Sequence, residues 1–151
     1  MYKFPLYAVL KNEKIREELI EKELNDCCLL LFNTKNKLDK ISFKRSSYIR
    51  LLELKQESGS DASLLILYSD YIDQLSLELE RIEKRVRQLE AEKEDKRQEL
   101  LHVVKKRNIL EKLEEKGKKA HESCLLRNEQ KLQDEAAMRG STGMRQSAPK
   151  L

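Results

Sequence analysis

Residues 72–89 read IDQLSLELERIEKRVRQL. Apolar side chains fall at Ile72, Leu75, Leu79, Ile82, Val86 and Leu89, in alternate steps of three and four, and Leu77 is the one apolar residue between them. That rhythm keeps one stripe of an α-helix dry and turns the rest of its surface to water, as in a coiled-coil seam. The register extends back to Leu65 and Tyr68 and forward through Lys93, Lys96, Leu100, Val103, Arg107 and Leu110. A second seam precedes it, through Leu6, Leu10, Glu13, Glu17, Ile20, Leu24, Cys27, Leu31, Thr34, Leu38, Ile41, Arg45, Tyr48 and Leu52. Between the two stands Glu57-Ser58-Gly59-Ser60-Asp61, the one internal stretch with turn chemistry. Gly59 suits the left-handed residue that ends a helix, and Ser60 or Asp61 suits the cap of the next.

Two long helices joined by so short a loop lie antiparallel, each burying its stripe against the other. The predicted fold is therefore all-α: a two-stranded antiparallel coiled-coil helical hairpin over residues 1–139. Helix one is expected over about 5–57, the turn at 58–61 and helix two over about 62–138. Antiparallel pairing about Gly59 sets Lys96 against Glu23, Lys93 against Asp26 and Glu13 against Lys106, pairs that choose a register more than they add stability. On the outer faces Glu18/Lys22, Glu80/Lys84, Glu83/Arg87 and Glu92/Lys96 have the acid-before-base spacing that supports a helix.

At about 1.5 Å per residue, the second helix outruns the first by roughly 40 Å. Beyond about Lys116 no first-helix sequence remains to cover it, yet Cys124, Leu125, Leu126, Leu132, Ala136 and Ala137 still follow. An overhanging amphipathic C-terminal helix points to a binding partner. Gly117 lowers helix propensity there and reads as a flexible joint. Residues 140–151 are rich in Gly, Ser and Pro and read as a disordered tail.

Composition excludes several classes. The chain has 151 residues, 38% charged and 5% aromatic, with no Trp, too few large side chains for the dry interior of a compact enzyme. A two-helix hairpin offers no enclosed pocket, so no catalytic residue is expected. His102 and His121 lie about 29 Å apart along one helix and cannot share a metal. No glycine-rich phosphate loop can be written, and no cofactor is expected. Cys27, Cys28 and Cys124 form no C-x-x-C pair and read as reduced thiols, with a packing role for the one of the adjacent pair that enters the seam.

Lys105-Lys106-Arg107 and Lys116-Gly117-Lys118-Lys119 are interspersed with Glu99, Glu111, Glu114 and Glu115 and lack stacking aromatics, so they read as solvated face and nucleic acid is not expected. No apolar run approaches the roughly 20 residues that cross a bilayer, so direct bilayer insertion is not expected. The cluster Leu64-Leu-Ile-Leu-Tyr-Ser-Asp-Tyr71 is more apolar than one seam requires, and reads equally as extra burial beside the turn or as a contact surface.

The opening KFPLYAVLKNEKIREE, Lys3 to Glu18, resembles the start of the flagellar export protein FliJ family, where an aromatic, a Leu two residues on and a Val-Leu pair precede a charged helix. The segment from Lys105 to Arg139, KKRNILEKLEEKGKKAHESCLLRNEQKLQDEAAMR, is similar to the same family's closing helix. The resemblance covers essentially the whole chain. It implies a non-enzymatic, cytoplasmic component of the type III export apparatus, peripheral at the inner membrane and similar to the central stalk of rotary ATPases. Its implied partners are the hexameric export ATPase, a membrane export-gate protein and export chaperones. Carried over by motif, Phe4, Leu6, Val9, Leu10, Gln130, Lys131, Asp134, Glu135 and Arg139 are expected at the ATPase ring, and Tyr71 and Leu75 at the gate, although Glu78 and Ile82 depart from the family's gate pattern. The competing readings are a generic coiled-coil scaffold and a stalk protein of the related injectisome.

Overall fold

The computed structural model describes the backbone of residues 1–145 and the side chains of residues 1–143. Two helices account for nearly all of it, α1 (Tyr7–Glu57) and α2 (Ala62–Arg145), packed antiparallel as a helical hairpin. The first begins after Pro5, where the Tyr7 amide donates to the Phe4 carbonyl at 3.2 Å and the Leu10 amide to that of Leu6 at 2.9 Å. Proline suits such a start because it has no amide hydrogen to leave unsatisfied.

The turn closes α1 with a Schellman motif. The Ser60 amide donates to the Lys55 carbonyl at 3.1 Å and the Gly59 amide to that of Gln56 at 3.4 Å. This pairing needs a left-handed residue at its centre, and Gly59 supplies it with φ +74°. The Asp61 carbonyl then accepts from the Leu65 amide at 3.2 Å and its carboxylate from the Ser63 hydroxyl at 2.8 Å, which seats the first turn of α2. Open space surrounds Gly59, so Gly59→Ala meets no neighbour and costs only the left-handed backbone, about 1–2 kcal/mol. A thermal melt should show that loss, and an unchanged midpoint would exclude the strained turn.

Packing divides the chain into two units, one of residues 16–103 and one formed by residues 1–15 with 104–151. In the first, Leu31, Ile82, Val86 and Leu89 form the core, with Leu38 and Ile41 packed on it. Ile20, Leu75 and Val103 are also buried there, all of them at predicted seam positions. The charged seam positions split. Lys96 Nζ donates to Glu23 at 2.7 Å, as antiparallel pairing requires, and that hydrogen bond raises its pKa above the ordinary 10.5. Lys93 instead lies exposed, and among the described residues no ion pair joins it to Asp26. A lysine stem is long enough to leave the seam for water, and its ammonium gains more there.

The expected outer-face i,i+4 pairs do not form either: Lys96 also reaches Glu99 at 3.4 Å, and Glu92 takes Arg85 at 3.8 Å. Exposed pairs differ so little in energy that nearby alternatives compete on equal terms. Cys27 and Cys28 are both half-buried and free. The Cys27 thiol approaches the Leu89 carbonyl at 3.6 Å, and burial, ahead of the charge on Glu92, pushes its pKa above 9.0.

The helix end differs from expectation. Residues 140–145, read as tail, continue α2 without interruption. The Ser141 and Thr142 hydroxyls bond back to the Met138 carbonyl at 3.0 and 2.9 Å, which supplies local helix contacts that composition alone conceals. The rest of the expected tail, 146–151, lies outside the described residues.

Candidate functional site

In the unit of residues 1–15 and 104–151, the opening turns of α1 pack on α2. Leu10 is its buried anchor, 3% exposed. Beside it Val9, Glu13, Lys106, Ile109 and Leu110 line a cavity of about 280 Å³. Glu13 occupies a seam position, and its Oε2 is shielded from water with no hydrogen-bond partner. The predicted Glu13–Lys106 ion pair is absent among the described residues; Lys106 lines the same cavity but stays exposed. A shielded acceptor without a partner costs about 1–3 kcal/mol. Glu13→Leu should therefore stabilise the protein by about 1 kcal/mol or more, read as a higher urea midpoint, and a lower midpoint would show that the carboxylate is satisfied.

Charge on this unit is well matched around Glu111. Lys14 lies 3.4 Å from its carboxylate and Arg107 donates to it at 2.9 Å. The Arg107 hydrogen bond, assisted by Lys14, holds the Glu111 carboxyl below its ordinary 4.5.

Residues 1–6 run back along α2 as a short strap. The Tyr2 ring meets that of His121 at 5.7 Å, tilted by 41°, and its phenol lies against Gly117. Cover on α2 therefore extends to His121, past the expected limit at Lys116. After His121 every described side chain of α2, through Gly143, is exposed, including Leu125, Leu126, Leu132 and Met138. Gly117 lies within an unbroken α2 and has no positive φ.

The residues expected at the ATPase ring thus fall into two groups. Phe4 is half-buried in the strap, Leu6 and Val9 are 42% and 46% exposed, and Leu10 is committed to the unit's own packing. Gln130, Lys131, Asp134, Glu135 and Arg139 all lie exposed on the bare stretch of α2. The nearest of these, Gln130, is about 13 Å past His121 by helical rise, so the structure does not bring the two groups together.

In the unit of residues 16–103, the turn end carries an aromatic cluster. Tyr48 meets Tyr71 edge-on at 4.6 Å and Tyr68 at 5.9 Å. The Lys44 and Lys55 ammonium groups sit 5.5 and 5.4 Å from the Tyr71 and Tyr68 ring centres, close enough for cation–π attraction. Tyr48, Leu64, Leu67, Tyr68 and Tyr71 line a shallow cavity of about 210 Å³. The apolar run from Leu64 to Tyr71 divides: Leu64, Leu65, Tyr68 and Tyr71 are partly shielded, whereas Ile66 and Leu67 are exposed. Of the expected gate residues, Tyr71 presents part of its ring and Leu75 is buried, 4% exposed.

Among the described residues no cluster of His, Cys, Asp and Glu can hold a metal ion, and no helix is long and apolar enough to cross a membrane. Sequence periodicity missed the meeting of Tyr2, Gly117 and His121; an aromatic outside the seam at position 2 and a lone glycine within the expected second helix were its only signals.

Comparison with known proteins agrees with this geometry. The family model described as Flagellar FliJ protein matches residues 2–145. No curated protein matches the chain. Among solved structures, CT670 from Chlamydia trachomatis, described as a YscO homolog, is similar with a TM-score of 0.51 and 23% identity, over 98% of this chain and 100% of that one. At that identity the likeness shows the fold alone.

Proposed function

We propose that this chain, which belongs to the flagellar FliJ protein family, is a non-enzymatic stalk of the type III export apparatus that engages the hexameric export ATPase through the bare end of α2. The observation that carries the reading is the uncovered helix after His121. A helix that presents Leu125, Leu126, Leu132 and Met138 to water wants a partner surface. One asymmetric helix end inside a ring of like subunits meets each of them differently. It can therefore favour one subunit conformation over another by differential contact, with no active site of its own.

In this reading the strap and the first turns of α1 form the collar of the contact, and the exposed polar residues from Gln130 to Arg139 supply its specificity. The Tyr48–Tyr68–Tyr71 cluster at the turn is the second contact surface, facing the export gate. Export chaperones are further partners of the same stalk, which works in the cytoplasm beside the inner membrane.

The test is a titration of this protein into the purified flagellar export ATPase, with phosphate release and hexamer formation followed together. Stimulation that saturates near one chain per hexamer is expected. No stimulation of the flagellar ATPase, with stimulation of an injectisome ATPase, would instead make the chain an injectisome stalk; inertness toward both, with stable self-association by light scattering, would make it a scaffold.

A further inference from the structure

Three glycines lie inside α2, and they are not equivalent. At Gly140 and Gly143 an added methyl group would meet nothing within 4 Å. At Gly117 it would overlap the hydroxyl and ring carbons of Tyr2. Helix propensity alone favours alanine at a mid-helix site, so the glycine is explained by the space it leaves. The phenol fills that space, and its ring is held from the side by His121, one helical turn further along. Tyr2, Gly117 and His121 are all half-buried, in a stretch of α2 whose following residues are all exposed. Met1, Tyr2, Lys3, Phe4 and Tyr7 line a cleft of about 710 Å³ together with Glu114, Lys118 and Glu122, and Tyr2 is the strap residue whose ring reaches α2 beyond it, at Gly117 and His121.

We infer that Tyr2, Gly117 and His121 form a clasp, in which Gly117 is the notch for the Tyr2 phenol, and that this clasp positions residues 1–10 where α2 becomes bare. The strap is not helical. Without the clasp it would leave the α2 surface, and Phe4 with the first turn of α1 would lose its fixed place beside Glu114 and Lys118. Fastened, it presents the collar of the proposed ATPase contact already formed, so that binding does not have to order it. This positioning role rests on the stalk reading; the clasp itself does not.

A double-mutant cycle separates the two. In a Tyr2→Ala chain the notch is empty, and Gly117→Ala should raise Tm by about 2–4 °C through helix propensity. With Tyr2 present the same substitution ejects the ring. It should then give no gain in Tm and speed amide exchange at residues 7–10 by about tenfold. Tyr2→Phe, which keeps the ring against Gly117 and His121, should leave that exchange unchanged. An equal rise in Tm from Gly117→Ala in both backgrounds overturns the clasp.

For the positioning role, Gly117→Ala should raise the concentration giving half-maximal ATPase stimulation by about fivefold and leave the maximum intact. An unchanged half-maximal concentration in a variant whose exchange shows the strap released overturns that role. If the wild-type chain fails to stimulate the ATPase, the stalk reading falls and the positioning role with it, while the exchange cycle still decides the clasp.

Discussion

Ending the chain after Ser123 should abolish the proposed stimulation of the export ATPase and leave the thermal midpoint within about 2 °C of the full-length protein. Among the described residues the cut removes only side chains that are exposed: the last shielded one on α2 is His121, and the Tyr2 contact stays intact. It also removes Leu125, Leu126, Leu132 and Met138, the apolar residues of the bare helix. Desolvated in a partner surface, each contributes about 1–2 kcal/mol. Together they account for a loss of about 1,000-fold or more in affinity. Phosphate release measured against protein ratio gives the functional half and far-UV circular dichroism the structural half. Full stimulation by the shortened chain would move the contact elsewhere.

Leu89→Ala is the substitution expected to damage the fold most. Leu89 is fully buried, in the cluster with Leu31, Ile82 and Val86, and its carbonyl lies 3.6 Å from the Cys27 thiol. Truncating a buried leucine costs about 2–5 kcal/mol, through lost transfer free energy and the cavity left behind. A hairpin seam has no second layer of side chains from which to fill that cavity. For a unit of this size the midpoint should fall by about 10 °C or more. Leu77→Ala serves as the control: Leu77 is 57% exposed on the same helix, and its loss should cost no more than about 0.5 kcal/mol. Equal midpoints for the two variants would mean that the seam does not run through Leu89.

What periodicity could read, it read well. Every predicted position of the first seam except Leu6 is buried or half-buried, and so is every position of the second except Lys93. The turn is legible for a separate reason, since a Schellman motif requires the one residue type that tolerates a positive φ, and only Gly59 stood at the break. The failures share a cause. Glu13 and Lys106 were matched by register alone, but an ion pair also needs both side chains to gain by meeting, and Lys106 remains in water.

The strap of residues 1–6 follows no helical period, so its landing on Gly117 left no trace in the spacing, and the glycine read as a weakness rather than a notch. Among the candidate contacts, composition could not distinguish Leu10 and Leu75, which the fold consumes, from Leu6 and Val9, which it leaves open. Leu6 and Leu10 obey the same pattern; only the packed partner tells them apart.

Eight described side chains make up the buried core, which leaves most positions answerable to water rather than to a neighbour. Mutational drift in such a molecule is constrained by rhythm instead of spelling: a substitution is tolerated wherever it keeps greasy letters on the beat. Descendants of one ancestor can then diverge until pairwise comparison falls silent while their backbones still superimpose, and conserved wording should survive chiefly at the ends, where something other than the chain itself does the reading.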